Sequence, residues 1–319
     1  MAIEVDVPKD QEEHELISTS LDVEQLDTNL FRSRSLWIPR SARGVFGGQV
    51  VSQALVSATN SVDSKYALHS LHCYFLLSAS STVPILYYVE RLREGRSYTT
   101  RSVKAVQSGQ TIFILMCSFQ VPEPRQPSHS WPMPLVPKPE DCPSQEEVYA
   151  QLAASTQDPV KKARYLGVIQ DRKRSPIAIK IVLDTPTPPD RSKIYMFWMK
   201  AKNIPKYEPA YQKCILAYVS DLLFISTASK TLGLSYGRGP NTIAMQSSLD
   251  HSMYFYNQSF DHGDWMLYVN ESPTTGSGRG VVHGRVYDRH GNLCAIASQE
   301  GVVRTDHRDV PVESTKGKL

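Results

Sequence analysis

The stretch ILYYVERLREGRSYTTRSVKAVQSGQTIFILMCSFQ, residues 85–120, decides the fold, because a second stretch of the same grammar, WMLYVNESPTTGSGRGVVHGRVYDRHGNLCAIASQEG, occupies residues 265–301. Val83 to Arg91 and Trp265 to Asn270 are rich in aromatic and β-branched residues, as strands are. Glycine turns follow at Arg93–Arg96 and Thr275–Gly278, then strands at Tyr98–Gln107 and Val281–Asp288. Turns at Ser108-Gly109 and His290–Asn292 lead into Thr111–Val121 and Leu293–Val303. Each stretch therefore predicts a three-strand antiparallel meander. The repeat extends upstream. HSLHCYF (His69–Phe75) answers SSLDHSMYFY (Ser247–Tyr256), and Leu71, Glu90 and Gly109 fall on Leu249, Glu271 and Gly291, offsets of 178, 181 and 182 residues. A near-constant offset over several elements predicts a duplicated domain.

One helix is expected ahead of each meander. FGGQVVSQALVSATNSV (Phe46–Val62) sets Val50, Val51, Ala54, Leu55 and Ala58 on one face. YQKCILAYVSDLLFISTAS (Tyr211–Ser229) is apolar nearly all round and predicts one long buried helix. Asp221 interrupts it. An ionised carboxylate there costs several kcal/mol unless paired, which marks either a functional acid or an N-cap with the helix starting at Ser220 or Asp221. Burial raises a carboxylate's pKa and suits it to act as a base near neutrality. The first helix carries no Asp or Glu.

Between the halves, eight of the 22 residues from Pro122 to Pro143 are proline. That excludes a central strand or an ordinary helix and predicts an extended surface linker. A polar segment with short helices is expected from there to about Pro189.

Composition excludes several classes. With 319 residues, 41% of them hydrophobic, the chain can bury a sizeable core. Its 35 Lys+Arg against 32 Asp+Glu lack the basic excess of a nucleic-acid binder. The five cysteines (Cys73, Cys117, Cys142, Cys214, Cys294) show no metal spacing and read as buried thiols of a reduced, intracellular protein. No apolar run reaches the length of a membrane span, and the acidic N-terminus lacks the order of a signal peptide.

FGGQVVSQAL (Phe46–Leu55), HSLHCYF, AYVSD (Ala217–Asp221), SLDHSM (Ser248–Met253) and ASQEGVVR (Ala297–Arg304) occur in the order of the acyl-CoA thioesterase II family, which the chain resembles from about Leu26 to Arg304, and its peroxisomal eukaryotic members above all. The resemblance implies an α+β fold of two tandem hotdog domains, each a curled antiparallel sheet wrapped around a long central helix. Mapped onto the chain, this gives a flexible N-terminus over 1–20, a first hotdog domain over 21–121, a proline-rich linker and connecting segment over 122–190, a second hotdog domain over 191–305, and a C-terminal tail over 306–319. It implies hydrolysis of acyl-CoA to fatty acid and CoA without a cofactor or metal, and a homo-oligomer. By motif its catalytic Asp, Ser and Gln fall on Asp221, Ser248 and Gln299. Together these would activate a water against the thioester carbonyl. The first copy aligns Ser70 with Ser248 and offers Cys117 or Gln120 near Gln299, but has no acid, so one competent site per chain is expected, chiefly in the second half.

Further candidates surround that site. Gly47 and Gly48 would bring backbone amides to an oxyanion or to CoA, or serve packing alone. Arg91, Arg93, Arg96, Arg101 and Lys104 form a basic run against Glu94; Arg96 is the candidate for CoA phosphate, and a solvated strand face is the simpler reading. His251 stands beside Ser248 as a supporting residue. Gly233–Gly237 matches G-x-S-x-G, but loop chemistry flanks it on both sides, which argues against a serine nucleophile at Ser235. Rival functions are a hotdog hydratase or dehydratase using Asp250 and His251, and a non-catalytic acyl-CoA-binding protein. The terminal Gly317-Lys318-Leu319 approximates the address read by the peroxisomal import receptor, with cytosol as the alternative.

Overall fold

The computed structural model describes residues 16–40, 42–183, 185, 193–236 and 241–305. Its strands are β1 (Val23–Asp27), β2 (Leu30–Ser33), β3 (Ala67–Phe75), β4 (Leu86–Glu94), β5 (Tyr98–Gln107), β6 (Gln110–Gln120), β7 (Ile177–Ile181), β8 (Tyr195–Ala201), β9 (Ile243–Ser248), β10 (Asp250–Phe255), β11 (Met266–Gly276), β12 (Arg279–Tyr287) and β13 (Leu293–Thr305). They form one antiparallel sheet in the order β1-β2-β4-β5-β6-β3-β10-β13-β12-β11-β8-β7, with β9 added against β13. The order reads the same from both ends: β3 corresponds to β10, β6 to β13, β5 to β12 and β4 to β11. The expected duplication is thus present as a pseudo-two-fold axis between β3 and β10, which pair antiparallel with Leu71 opposite Met253.

Both expected meanders are present, β4-β5-β6 and β11-β12-β13. At Ser108-Gly109 (φ 50° and 77°) and Ser277-Gly278 (φ 51° and 73°), two successive positive φ angles make the tight turns that match strand twist.

Helix α2 (Gly47–Thr59) and helix α5 (Pro209–Ser220) lie side by side under the sheet, one per half. The α+β double-hotdog architecture follows from this pair and the curled sheet around it. Both helices are enclosed on every side, so their polar residues need internal partners. Gln49 and Gln53 donate to the Ser20 and Ser35 carbonyls, and Gln53 accepts from the Tyr87 hydroxyl. A Cβ on Gly48 would collide with the Tyr218 carbonyl, so glycine is required where α2 crosses α5.

The structure departs from the sequence reading in four places. The second helix is not continuous: α5 stops at Ser220, the chain turns through Leu223 (φ 60°), and a separate α6 (Ser226–Thr231) follows. Asp221 is therefore the C-cap of α5, neither mid-helix nor an N-cap. Ile17–Leu21, which begin inside the 1–20 stretch expected to be flexible and end on the first residue of the first expected domain, form α1 and bury Ile17 and Leu21. The connecting segment holds the expected helices, α3 (Gln145–Ser155) and α4 (Pro159–Arg174), and in addition β7, an edge strand of the second half that was not expected. Its proline-rich part packs Met133 and Val136 on Trp198, Leu267 and Tyr287 and accepts a hydrogen bond from Trp198 at the Pro137 carbonyl, sealing the outer face of the second half.

All five cysteines are free and buried. No helix among the described residues is long and apolar enough to cross a membrane, and none of the described residues form a group that could hold a metal ion. The C-terminal tail with its Gly-Lys-Leu end lies outside the described residues.

Candidate active site

Asp221 leaves the end of α5 pointing at the start of α2. Its Oδ2 lies against Gly47, where a Cβ would come within 2.7 Å of it, and the Gly48 backbone N–H donates to the carboxylate. The negative end of one helix thus carries an acid that the positive end of the other receives. Gly47 and Gly48 serve this contact and the α2–α5 crossing.

Two side chains from the second half complete the cluster. Gln299, on β13, donates from Nε2 to Asp221 Oδ1 at 2.8 Å. The Ser248 hydroxyl, at the end of β9, also donates to the carboxylate. Register puts it there, since Ser248 pairs with Gly301, two residues along β13 from Gln299. Burial pushes the Asp221 pKa above the ordinary carboxylate value; the bonds from Gln299, Gly48 and Ser248 oppose that rise without cancelling it. Asp221 as a residue is half-buried. It ionises nearer neutrality than a free carboxylate.

Behind Gln299 stands His251, fully buried. Its Nδ1 lies 3.3 Å from Gln299 Nε2 and its Nε2 lies 2.9 Å from the Ser220 hydroxyl. The Gln299 amide is a donor, so Nδ1 accepts and the Nε2–H donates to Ser220, which passes its own hydrogen to the Ala217 carbonyl. Burial lowers the His251 pKa to about 3, leaving the ring neutral. With both nitrogens engaged and no exposed edge, His251 is not available as the acid or base of a hydratase. The other end of Gln299 has no partner: its Oε1 is a buried acceptor without a donor among the described residues.

The remaining candidates fall elsewhere. Arg96 is exposed in the β4–β5 turn, whose Gly95 carbonyl accepts from Tyr66. That turn lies by the C-terminal end of α2, roughly 18 Å of helix from Gly48 at 1.5 Å per residue. Arg101 of the same basic run is buried rather than solvated. It bonds Ser61 and Thr99 and pairs with Glu94 at 2.6 Å. Ser235 sits in an isolated bridge to Thr242, with no strand-to-helix elbow, and Gly237 lies outside the described residues.

The first half shows how its counterpart site was filled. Asn60 ends α2 as Asp221 ends α5. Cys117, rather than Gln120, holds the register of Gln299, since it faces Arg101 on β5 as Gln299 faces Val282 on β12. The buried Arg101 stands beside it. Sequence reasoning missed two contributors, the Gly48 amide as a partner of Asp221 and the Ser220 hydroxyl under His251. Ser220 had a signal, being the residue before Asp221 in AYVSD.

Known proteins resemble this chain over both halves. A family model described as the acyl-CoA thioesterase N-terminal domain matches residues 34–120, and one described as the acyl-CoA thioesterase C-terminal domain matches 139–303. The chain is 40% identical over 298 residues to mouse acyl-coenzyme A thioesterase 8, covering 91% of this chain and 89% of that protein. It is 25% identical over 318 residues to the peroxisomal acyl-coenzyme A thioester hydrolase 1 of Saccharomyces cerevisiae, covering 85% of this chain and 89% of that protein. The crystal structure of the acyl-CoA thioesterase II TesB2 from Mycobacterium marinum superposes with a TM-score of 0.73 at 33% identity, covering 91% of this chain and 99% of that one. Two family models spanning both halves, a relative of this identity and coverage, and the shared double-hotdog fold establish that the chain belongs to the acyl-CoA thioesterase family.

Proposed function

We propose that the protein hydrolyses acyl-CoA thioesters to fatty acid and CoA, with Asp221, oriented by Ser248, as general base for a water held by Gln299. The supporting observation is the split role of Gln299. One end of its amide holds Asp221 while the other, Oε1, is a buried acceptor with no donor among the described residues. Once the site opens to admit substrate, a water donating one hydrogen to Asp221 and the other to Gln299 Oε1 has its lone pair free to attack the carbonyl carbon. The bonds of Gln299 to Asp221 and His251 fix the orientation of the amide. As the C–O bond forms, the water proton passes to Asp221. As the C–S bond breaks, the departing CoA thiolate recovers that proton, which regenerates the carboxylate. The Gly48 N–H and the α2 N-terminus stabilise the ionised base between turnovers.

The test is release of free thiol from short, medium, long and branched acyl-CoA esters, read with a thiol reagent. Stoichiometric thiol on at least one of them is expected. Hydration of an enoyl-CoA without thiol, or binding without turnover, contradicts the reading. Peroxisomal residence belongs to the same reading and is supported by the yeast relative, a peroxisomal acyl-coenzyme A thioester hydrolase. A fluorescent protein fused ahead of the full chain should enter peroxisomes, and removal of Gly317–Leu319 should leave it in the cytosol.

A further inference from the structure

The first half sends an aromatic ring to the Asp221 cluster as well as two glycines. Period-two alternation along β3 turns Leu71, Cys73 and Phe75 to the inner face. Leu71 and Cys73 are buried there, but Phe75, at the end of the strand, is only half-buried. A Cβ on Gly47 would come within 3.0 and 3.2 Å of two atoms on the edge of the Phe75 ring, and within 2.7 Å of Asp221 Oδ2. Carboxylate and ring edge therefore converge above Gly47, on the space that its missing side chain leaves.

The frame of the fold fixes the ring in that place. The Phe75 N–H donates to the Leu249 carbonyl at 2.9 Å, next to Ser248. Its ring packs on Phe113, with centroids 5.3 Å apart. A phenyl ring has no proton to give or take, so what Phe75 brings to the cluster is shape. The carbonyl carbon attacked by a water on Asp221 carries two substituents. One is sulfur, which leads to an arm of amides and phosphates; the other is the hydrocarbon of the acyl group. Ser248 and Gln299 hold a polar flank of Asp221, and Phe75 holds an apolar one. Past the ring, Leu76 and Leu77 are 48% and 52% exposed, so hydrocarbon leaving the cluster by Phe75 meets apolar side chains. We propose that Phe75 is a specificity-determining residue for the acyl group: its ring edge packs against the carbon next to the thioester carbonyl and limits the bulk that this carbon carries. A methyl branch there competes with the ring for the space above Gly47, whereas a straight chain passes beside it. This rests on the thioesterase reading and deepens it.

The experiment measures kcat/KM on hexanoyl-CoA and hexadecanoyl-CoA and on the α-methyl-branched isomer of each, for wild type, Phe75→Leu, Phe75→Ala and Phe75→Trp. The straight-to-branched ratio should fall about tenfold in Phe75→Ala, fall by less in Phe75→Leu, and rise in Phe75→Trp. The acid limb of the pH profile should stay in place, since Asp221, Ser248 and Gln299 keep their bonds. Ketone analogues of the same esters, with a methylene between sulfur and carbonyl, cannot be hydrolysed; their binding, measured by calorimetry, should show the same order of ratios. A ratio that stays constant across the three variants, or one that changes only together with a displaced acid limb, overturns the assignment and leaves the thioesterase reading intact. If wild type releases no thiol from any of the four esters, the thioesterase reading falls and the binding ratios decide Phe75 alone. Movement of those ratios with the size of the side chain then supports the assignment, while constant ratios or absence of binding overturn it.

Discussion

The Gln299 amide nitrogen lies 2.8 Å from the Asp221 carboxylate and 3.3 Å from His251 Nδ1, so one side-chain NH₂ is shared between an acid and a neutral imidazole. Rotating the amide by half a turn would set its oxygen against the carboxylate, which two negative oxygens forbid when Asp221 is ionised. His251 fixes the same orientation from behind.

Replacing Gln299 separates the two functions of that amide. Gln299→Ala is expected to lower kcat about 100-fold or more, since it removes both the Asp221 partner and the acceptor for water. Gln299→Glu places a second carboxylate against Asp221 and raises the apparent pKa of the pair. Its residual activity should appear only at higher pH than in wild type, and pH–rate profiles of both variants check this.

His251 acts through Gln299 and is a positioning residue. His251→Leu fills most of the same space but removes the acceptor for Gln299 and the donor to Ser220. The expected result is a fall in kcat of about tenfold with KM little changed and the acid limb of the pH profile displaced, because Gln299 no longer holds Asp221 in one geometry. A stability loss with an unaltered pH profile would reduce His251 to a packing residue.

Asp221 has a cost to the fold that pH makes visible. Burial holds its carboxyl above the ordinary value, so as pH rises the unfolded chain releases this proton before the folded one. Across that window the folded state binds more protons, and stability falls as pH rises. Asp221→Asn removes the penalty, so it should melt higher than wild type above the raised pKa, with the gap closing below about pH 4. Melting curves of the two proteins from acid to neutral pH test the sign.

Gly48→Ala tests the helix crossing. The new methyl meets the Tyr218 carbonyl and the Phe46 ring, and overpacking of this kind costs about 1–3 kcal/mol. Because the Gly48 N–H also faces Asp221, the variant should lose activity beyond what its lower melting temperature accounts for.

Much of this was legible in the sequence, for identifiable reasons. The meanders show because period-two patterning and paired Ser-Gly or Gly-containing turns are local signals. The duplication shows because the offset between Glu90 and Glu271 matches that between Gly109 and Gly291 to one residue. The break after Ser220 did not show. Leu222 to Ile225 are as apolar as the helix before them, and the positive φ at Leu223 is imposed by packing rather than by a glycine. Arg101 misled for a similar reason, since its charge suggested solvent while Ser61, from a distant loop, and Glu94 supply the partners that let it be buried. Asp221, Ser248 and Gln299 could be named from motifs, but the Gly48 amide that completes their setting comes from the other half of the molecule and no local pattern contains it.

The account stands most directly on single-turnover hydrolysis of an acyl-CoA by Asp221→Asn, followed by thiol release with the folded state verified by circular dichroism. The expected rate is lower than wild type by about 100-fold or more, with acyl-CoA binding retained. Hydrolysis at the wild-type rate by the folded variant would contradict the assignment of Asp221 as the base and, with it, the mechanism built on the Asp221–Gln299 bond.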